Sequence, residues 1–83
     1  MKTFILLLLF IITSLFSAVD INSASKSELT TLHGIGPKKA EAIIEYRTTH
    51  CFKTVASIVD VKGVGKKTLE KNRTNLKVGK CLK

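Results

Sequence analysis

Two stretches of this chain read alike, and their likeness limits the fold more than anything else in it. Residues 32–39 are LHGIGPKK and residues 61–68 are VKGVGKKT. Each is a Gly-apolar-Gly step followed by positive charge, and the offset between them is 29. The register extends outward: Leu29 pairs with Ile58, Leu32 with Val61, Gly34 with Gly63, Ile35 with Val64, Gly36 with Gly65, Lys38 with Lys67 and Glu41 with Glu70. Ser25 pairs with Thr54, and both are natural helix N-caps. Two copies of one helical hairpin, packed back to back, is the economical reading.

Local signals place helices around both steps. SKSE, residues 25–28, is a capping box that opens a short helix ending near His33. Gly34 suits the C-terminal stop. Pro37 suits the first position of the next helix, where its missing N–H has no intrahelical partner to lose. That helix runs to about Thr48, with Ala40, Ile43 and Ile44 on its core face. Phe52 fills the core between the halves. Thr54 opens a third helix with Val55, Ile58, Val59 and Val61 apolar, and Lys66 opens a fourth with Leu69 and Leu76 inward. No alternating strand pattern of useful length is found. The expected fold is all-α, with about four main helices in two pseudo-twofold-related hairpins.

The N-terminus belongs to something else. Lys2 precedes FILLLLFII and a small-residue Ser17-Ala18, the layout of a secretory signal. The apolar run falls short of the about 20 residues a spanning helix needs. Residues 1–18 are read as a signal peptide and 19–83 as one folded domain, exported to the bacterial periplasm. An uncleaved anchor on the outer face of the cytoplasmic membrane is the alternative. Removing residues 1–18 takes away Lys2 and no acid, so the charge falls only from +8 to +7. A domain this small is marginally stable. Cys51 and Cys81 would meet an oxidising compartment and are expected to pair, worth about 3–4 kcal/mol by chain entropy. Free thiols or an intermolecular bond are the alternatives. His33, His50, Cys51 and Cys81 match no metal-ligand spacing, so neither metal nor cofactor is expected.

High positive charge points to a polyanionic partner. With no Trp and one Tyr, base stacking is poorly served, which favours contact with a phosphate backbone. The glycine step explains how. The middle residue, Ile35 or Val64, turns inward and pins the hairpin. The second glycine leads into a helix whose first N–H groups have no internal partner and carry the positive end of the dipole. A phosphate can be held there by main chain, with Lys38, Lys39, Lys66 and Lys67 adding charge. Two such turns can grip both strands of a duplex and ignore its sequence.

LTTLHGIGPKKAEAII and IVDVKGVGKKTLEKN resemble the two halves of a tandem helix-hairpin-helix domain. The run from Asp20 to Val78, with its INSASKSEL lead-in, resembles the DNA-binding domain of ComEA-type competence proteins. That resemblance implies sequence-independent binding of double-stranded DNA outside the cytoplasmic membrane and a part in DNA uptake during natural transformation, alongside pilus or membrane-channel components. It implies phosphate contacts at Gly34, Gly36, Gly63, Gly65 and the basic residues after each. Three positions depart from the pattern. His33 stands where the family commonly has proline, Cys51 where a small turn residue is usual, and Asn72 where an apolar core residue is expected. The last helix is therefore expected to pack less firmly.

Catalysis is not expected. The two His and six acids form no nucleophile, base or metal cluster, and some 65 residues leave little room for a pocket around a flipped base or a small-molecule substrate. The rival from another class is an exported docking subunit that uses paired hairpins for protein contact. Such a subunit has no need of lysines crowded at both anion-holding turns.

Overall fold

The computed structural model describes residues 18–81. The expected signal peptide, residues 1–18, lies outside the described residues except for Ala18. The order of elements is strand β1 (Val19–Asp20), helix α1 (Lys26–Leu29), helix α2 (Pro37–Arg47), a 3-10 helix (Val55–Asp60), helix α3 (Lys66–Asn72), a 3-10 turn (Arg73–Asn75) and strand β2 (Leu76–Lys77). The fold is mostly helical, as the sequence implies.

The capping box is formed in full. The Ser25 hydroxyl accepts from the Glu28 amide and the Glu28 carboxylate accepts from the Ser25 amide. The Ser25 amide, and after it the Ser25 hydroxyl, hold the Glu28 carboxyl below its ordinary range. After Leu29 the chain tightens into i→i+3 bonds, Thr31 N to Glu28 O and Leu32 N to Leu29 O, so α1 is shorter than its pattern suggests. Pro37 stands at the first position of α2, as expected. Along α2, Ala40 and Ile43 are fully buried and Ile44 lies at the core edge.

The fold class holds, and the structure adds two details to it. The third helix is a 3-10 helix, not an α-helix. Its six residues include the β-branched Val55, Ile58 and Val59, which crowd an α-helical turn and raise the cost of so short a segment. Thr54 still caps it, accepting from the Ser57 amide. The chain is also not purely helical. β1 and β2 pair in parallel, Val19 with Leu76 and Asp20 with Lys77. Leu76 is buried as expected, but from a strand and not from the fourth helix.

That two-residue ladder is the centre of a polar knot. Buried Asn22 donates to the Phe52 and Gly79 carbonyls and accepts from the Phe52 amide. The Asp20 carboxylate accepts from the amides of Asn22 at 2.9 Å and Gly79 at 3.1 Å. Arg47 donates to the Ile21 carbonyl. The first residues of the domain, the connector and the tail are thus held by one another. Cys51 and Cys81 lie on either side of this knot and form a disulfide, with Cα atoms 5.5 Å apart, an ordinary spacing for a bridge.

Partial burial pushes the Asp20 carboxyl up, but the Asn22 and Gly79 amides, the Ser23 hydroxyl and the Lys77 charge together hold it below its ordinary value. The fold therefore favours the carboxylate. Its contribution is fully present above about pH 4, the ordinary carboxyl range, and fades as pH falls through the lower folded value. Thermal melts between pH 6 and pH 2 are expected to show a loss of stability below pH 4 that is shallower in Asp20→Asn. An equally steep loss in that variant would place the acid sensitivity elsewhere.

Candidate nucleic-acid interface

Both glycine steps adopt the same backbone. Leu32 to Ile35 and Val61 to Val64 are four-residue turns closed by Ile35 N to Leu32 O at 3.2 Å and Val64 N to Val61 O at 3.0 Å. The third residue of each is a glycine at positive φ, +77° at Gly34 and +93° at Gly63, a conformation that side chains resist and that type II turns assign to glycine. Ile35 is 3% exposed and Val64 4%. These two residues hold the turns to the core. Their amides are already bonded and their side chains are covered, so they shape the site and offer it no donor.

Gly36 and Gly65 are a different case. They cap α2 and α3 with extended backbones, φ −90° and −106°, which any residue adopts. A Cβ built on either meets nothing within 4 Å. Neither the backbone nor the packing of the fold requires glycine at these two positions. Both caps lack a side chain to satisfy the first helical amides. Among the described residues, no main-chain acceptor takes the amides of Lys38 and Lys39 in the first turn, or of Lys66, Lys67 and Thr68 in the second. Pro37 has no N–H to offer, so the two turns differ by one donor.

The turns are neighbours, and their contacts are reciprocal. A Cβ on Gly34 would rest on the Thr68 side chain, 3.6 Å from its Oγ1, and a Cβ on Gly63 would rest on the Lys39 side chain at 3.8 Å. Thr68 and Lys39 are separated by the same offset, 29, as the two glycines. Each turn therefore packs on the helix that follows the other, which is the contact pattern of a local twofold.

Lys38, Lys66 and Lys67 are exposed, while Lys39 is half-buried with its Nζ 3.2 Å from the Gly34 carbonyl. Among the described residues the ion pairs are Lys26 with Glu41 and Arg73 with Glu70, so no carboxylate neutralises the four lysines of the turns. No group of three His, Cys, Asp or Glu side chains gathers there that could hold a metal ion.

Asn72 was expected to loosen the last helix, and it does the reverse. It is 1% exposed. Its Oδ1 accepts from the His33 amide, and its Nδ2 donates to the His33 and Thr68 carbonyls, all at 2.8 Å. A buried carboxamide with all these partners ties α3 to the first turn. Thr68 and Asn72 are the parts of the interface that pattern reading missed. The signal lay in the repeat, at positions where the halves differ: Lys39 against Thr68, and Ile43 against Asn72.

Uncapped helix starts entered through glycine turns, on a small basic helical domain, define a helix-hairpin-helix protein. The chain belongs to the helix-hairpin-helix motif family, whose match runs over residues 16–77. It is 48% identical over 60 residues to an uncharacterized protein of Haemophilus influenzae, covering 70% of this chain and 54% of that one. It is 44% identical over 61 residues to ComE operon protein 1 of Bacillus subtilis, covering 72% of this chain and 30% of that one. A kinesin-like protein of Oryza sativa subsp. japonica, KIN-10B, is 38% identical over 53 residues, 7% of its length. The chain thus spans about half of the first relative and less than a third of the second.

Proposed function

We propose that this protein binds double-stranded DNA without reading its sequence, holding one phosphate backbone at each glycine turn through main-chain amides and flanking lysines. The observation that carries the reading is the pair Gly36 and Gly65. The fold leaves open space beside them and imposes no special backbone, yet both sit at uncapped helix starts. A bare Cα is useful there to a ligand that must come close. Phosphate is the ligand that uncapped amides and unpaired lysines attract. The two turns act as a pair because they are adjacent and reciprocally packed.

The likeness to ComE operon protein 1 supports a role in DNA uptake during natural transformation, with the domain exported to the periplasm and handing DNA to pilus or channel components. The disulfide is consistent with an oxidising compartment. The chain acts by binding and not by catalysis.

The purified protein is expected to shift random-sequence duplexes of different base composition equally. If about four to six phosphates are neutralised, log K falls against log salt with a slope of about −4 to −5. A flat dependence would remove the phosphate mechanism. No binding at low salt would leave protein docking as the use of the hairpins.

A further inference from the structure

We propose that Asn72 is the positioning residue of the interface, fixing the first turn to the helix that begins at the second. This rests on the DNA-binding reading above, because the spacing it sets matters only if both turns are used together.

The placement is unusual for an asparagine. Asn72 is at the last position of α3 and almost wholly buried. It faces a residue 39 positions away, His33, and closes both of its main-chain polar groups at once. His33 is the residue immediately before Gly34, inside the first turn. The third bond, to Thr68 O one turn back in α3, locks the carboxamide so that it cannot rotate away. Thr68 itself packs on Gly34. One face of α3 therefore carries the first turn, while its own N-terminus forms the second.

The arrangement is one-sided. The position related to Asn72 by the repeat is Ile43, an apolar core residue. A hydrocarbon at 72 could fill space, but it could not specify where the His33 backbone lies, because apolar contact is non-directional. Three hydrogen bonds from one rigid amide do specify it. His33 is exposed as a residue and its bonds to Asn72 are only part-buried, so a small shift of the first turn brings its amide and carbonyl to water when Asn72 is replaced. The spacing of the turns can then be lost while the fold persists.

A clamp with two grips gains when both hold the same duplex without further ordering. If the first turn drifts relative to the second, that gain falls. Asn72→Leu should keep the helical circular dichroism, weaken duplex binding about 10-fold and reduce the salt slope by about 1 to 2 as phosphates of one strand are no longer held together. In NMR spectra the His33 to Gly36 amides should lose order and the Gly63 to Lys66 amides should not. Phe52→Leu, which trims the core at the connector where the ring stacks on Tyr46, is the matched control and should leave the salt slope unchanged. Asn72→Ala serves if the leucine variant does not fold.

Unchanged affinity and slope in a folded Asn72 variant would overturn the proposal, as would failure of both variants to fold, which would make Asn72 a core residue only. If the parent protein itself does not bind duplex, the DNA-binding reading fails instead. The amide spectra then still decide whether Asn72 orders the first turn.

Discussion

Gly36→Val and Gly65→Val are each expected to weaken duplex binding about 10-fold, equivalent to about 1.4 kcal/mol, and together about 100-fold, while the melting temperature stays within a few degrees of the parent. Stability and binding separate here for a structural reason. At both positions the backbone is extended and a Cβ meets nothing within 4 Å, so valine neither strains the chain nor displaces a neighbour. Two small effects oppose each other. Valine is a poorer N-cap than glycine by roughly 0.5–1 kcal/mol, and it restricts the unfolded chain by a similar amount. At Gly36 the extended backbone is also what a residue preceding proline prefers. The methyl groups instead occupy the approach to the first amides of α2 and α3. A phosphate oxygen must come within about 3 Å of those nitrogens, and branched carbons in its path prevent that.

The contrast with Gly34 and Gly63 sharpens the test. Those glycines hold positive φ, so valine there strains the turn itself and any lost binding reflects misfolding. Lys80→Ala, in the exposed tail, removes one charge that belongs to neither turn and is expected to cost less than about 2-fold. Fluorescence anisotropy with a random duplex, alongside thermal melts, compares all of these. Equal losses for Lys80→Ala and Gly36→Val would mean that bulk charge carries binding and the turns do not.

What could be read from sequence was what is local. The capping box at Ser25 and Glu28, Pro37 at the head of α2, and Ile35 and Val64 turned inward all follow from neighbours a few residues away. What could not be read depends on partners far along the chain. β1 meets β2 across 57 residues, and two-residue strands leave no alternation to detect. Asn22 and Asn72 look like surface polar residues until their partners arrive, Phe52 and Gly79 for one and His33 for the other. The His33 and Asn72 departures look independent in the sequence, yet the two residues are bonded to each other. A proline at 33 would have no N–H to give Asn72, so the asparagine goes with a residue other than proline at 33. The 3-10 helix is an intermediate case: its cap and its buried Ile58 were legible, but its winding was decided by branched side chains in a very short segment.

Reducing the disulfide is expected to produce the largest change in stability. The bridge joins residues separated by 30 positions. A loop of that size restricts the unfolded chain by about 3.5 kcal/mol in the chain-entropy model. Small domains hold roughly 0.05–0.15 kcal/mol per residue, so this is a large share of the total, and at roughly 4–8 °C per kcal/mol the melting temperature should fall by about 15–25 °C in reductant. Cys81→Ser should reproduce the shift without reductant and show no further change when it is added. The closed loop contains the second turn, but neither cysteine takes part in the bonds that shape that turn. Val64 N to Val61 O and the Thr68 and Asn72 contacts with the first turn lie away from the bridge. The tail keeps its anchors in the native state, through β2 and the bonds of Gly79 to Asp20 and Asn22. At a temperature well below the lowered midpoint the reduced protein should therefore bind duplex within about 2-fold of the oxidised form. If binding is lost while the fold remains, the bridge positions the second turn directly. If the melting temperature does not move, the unfolded chain gains little freedom when the sulfurs part, and the chain-entropy account of the bridge fails.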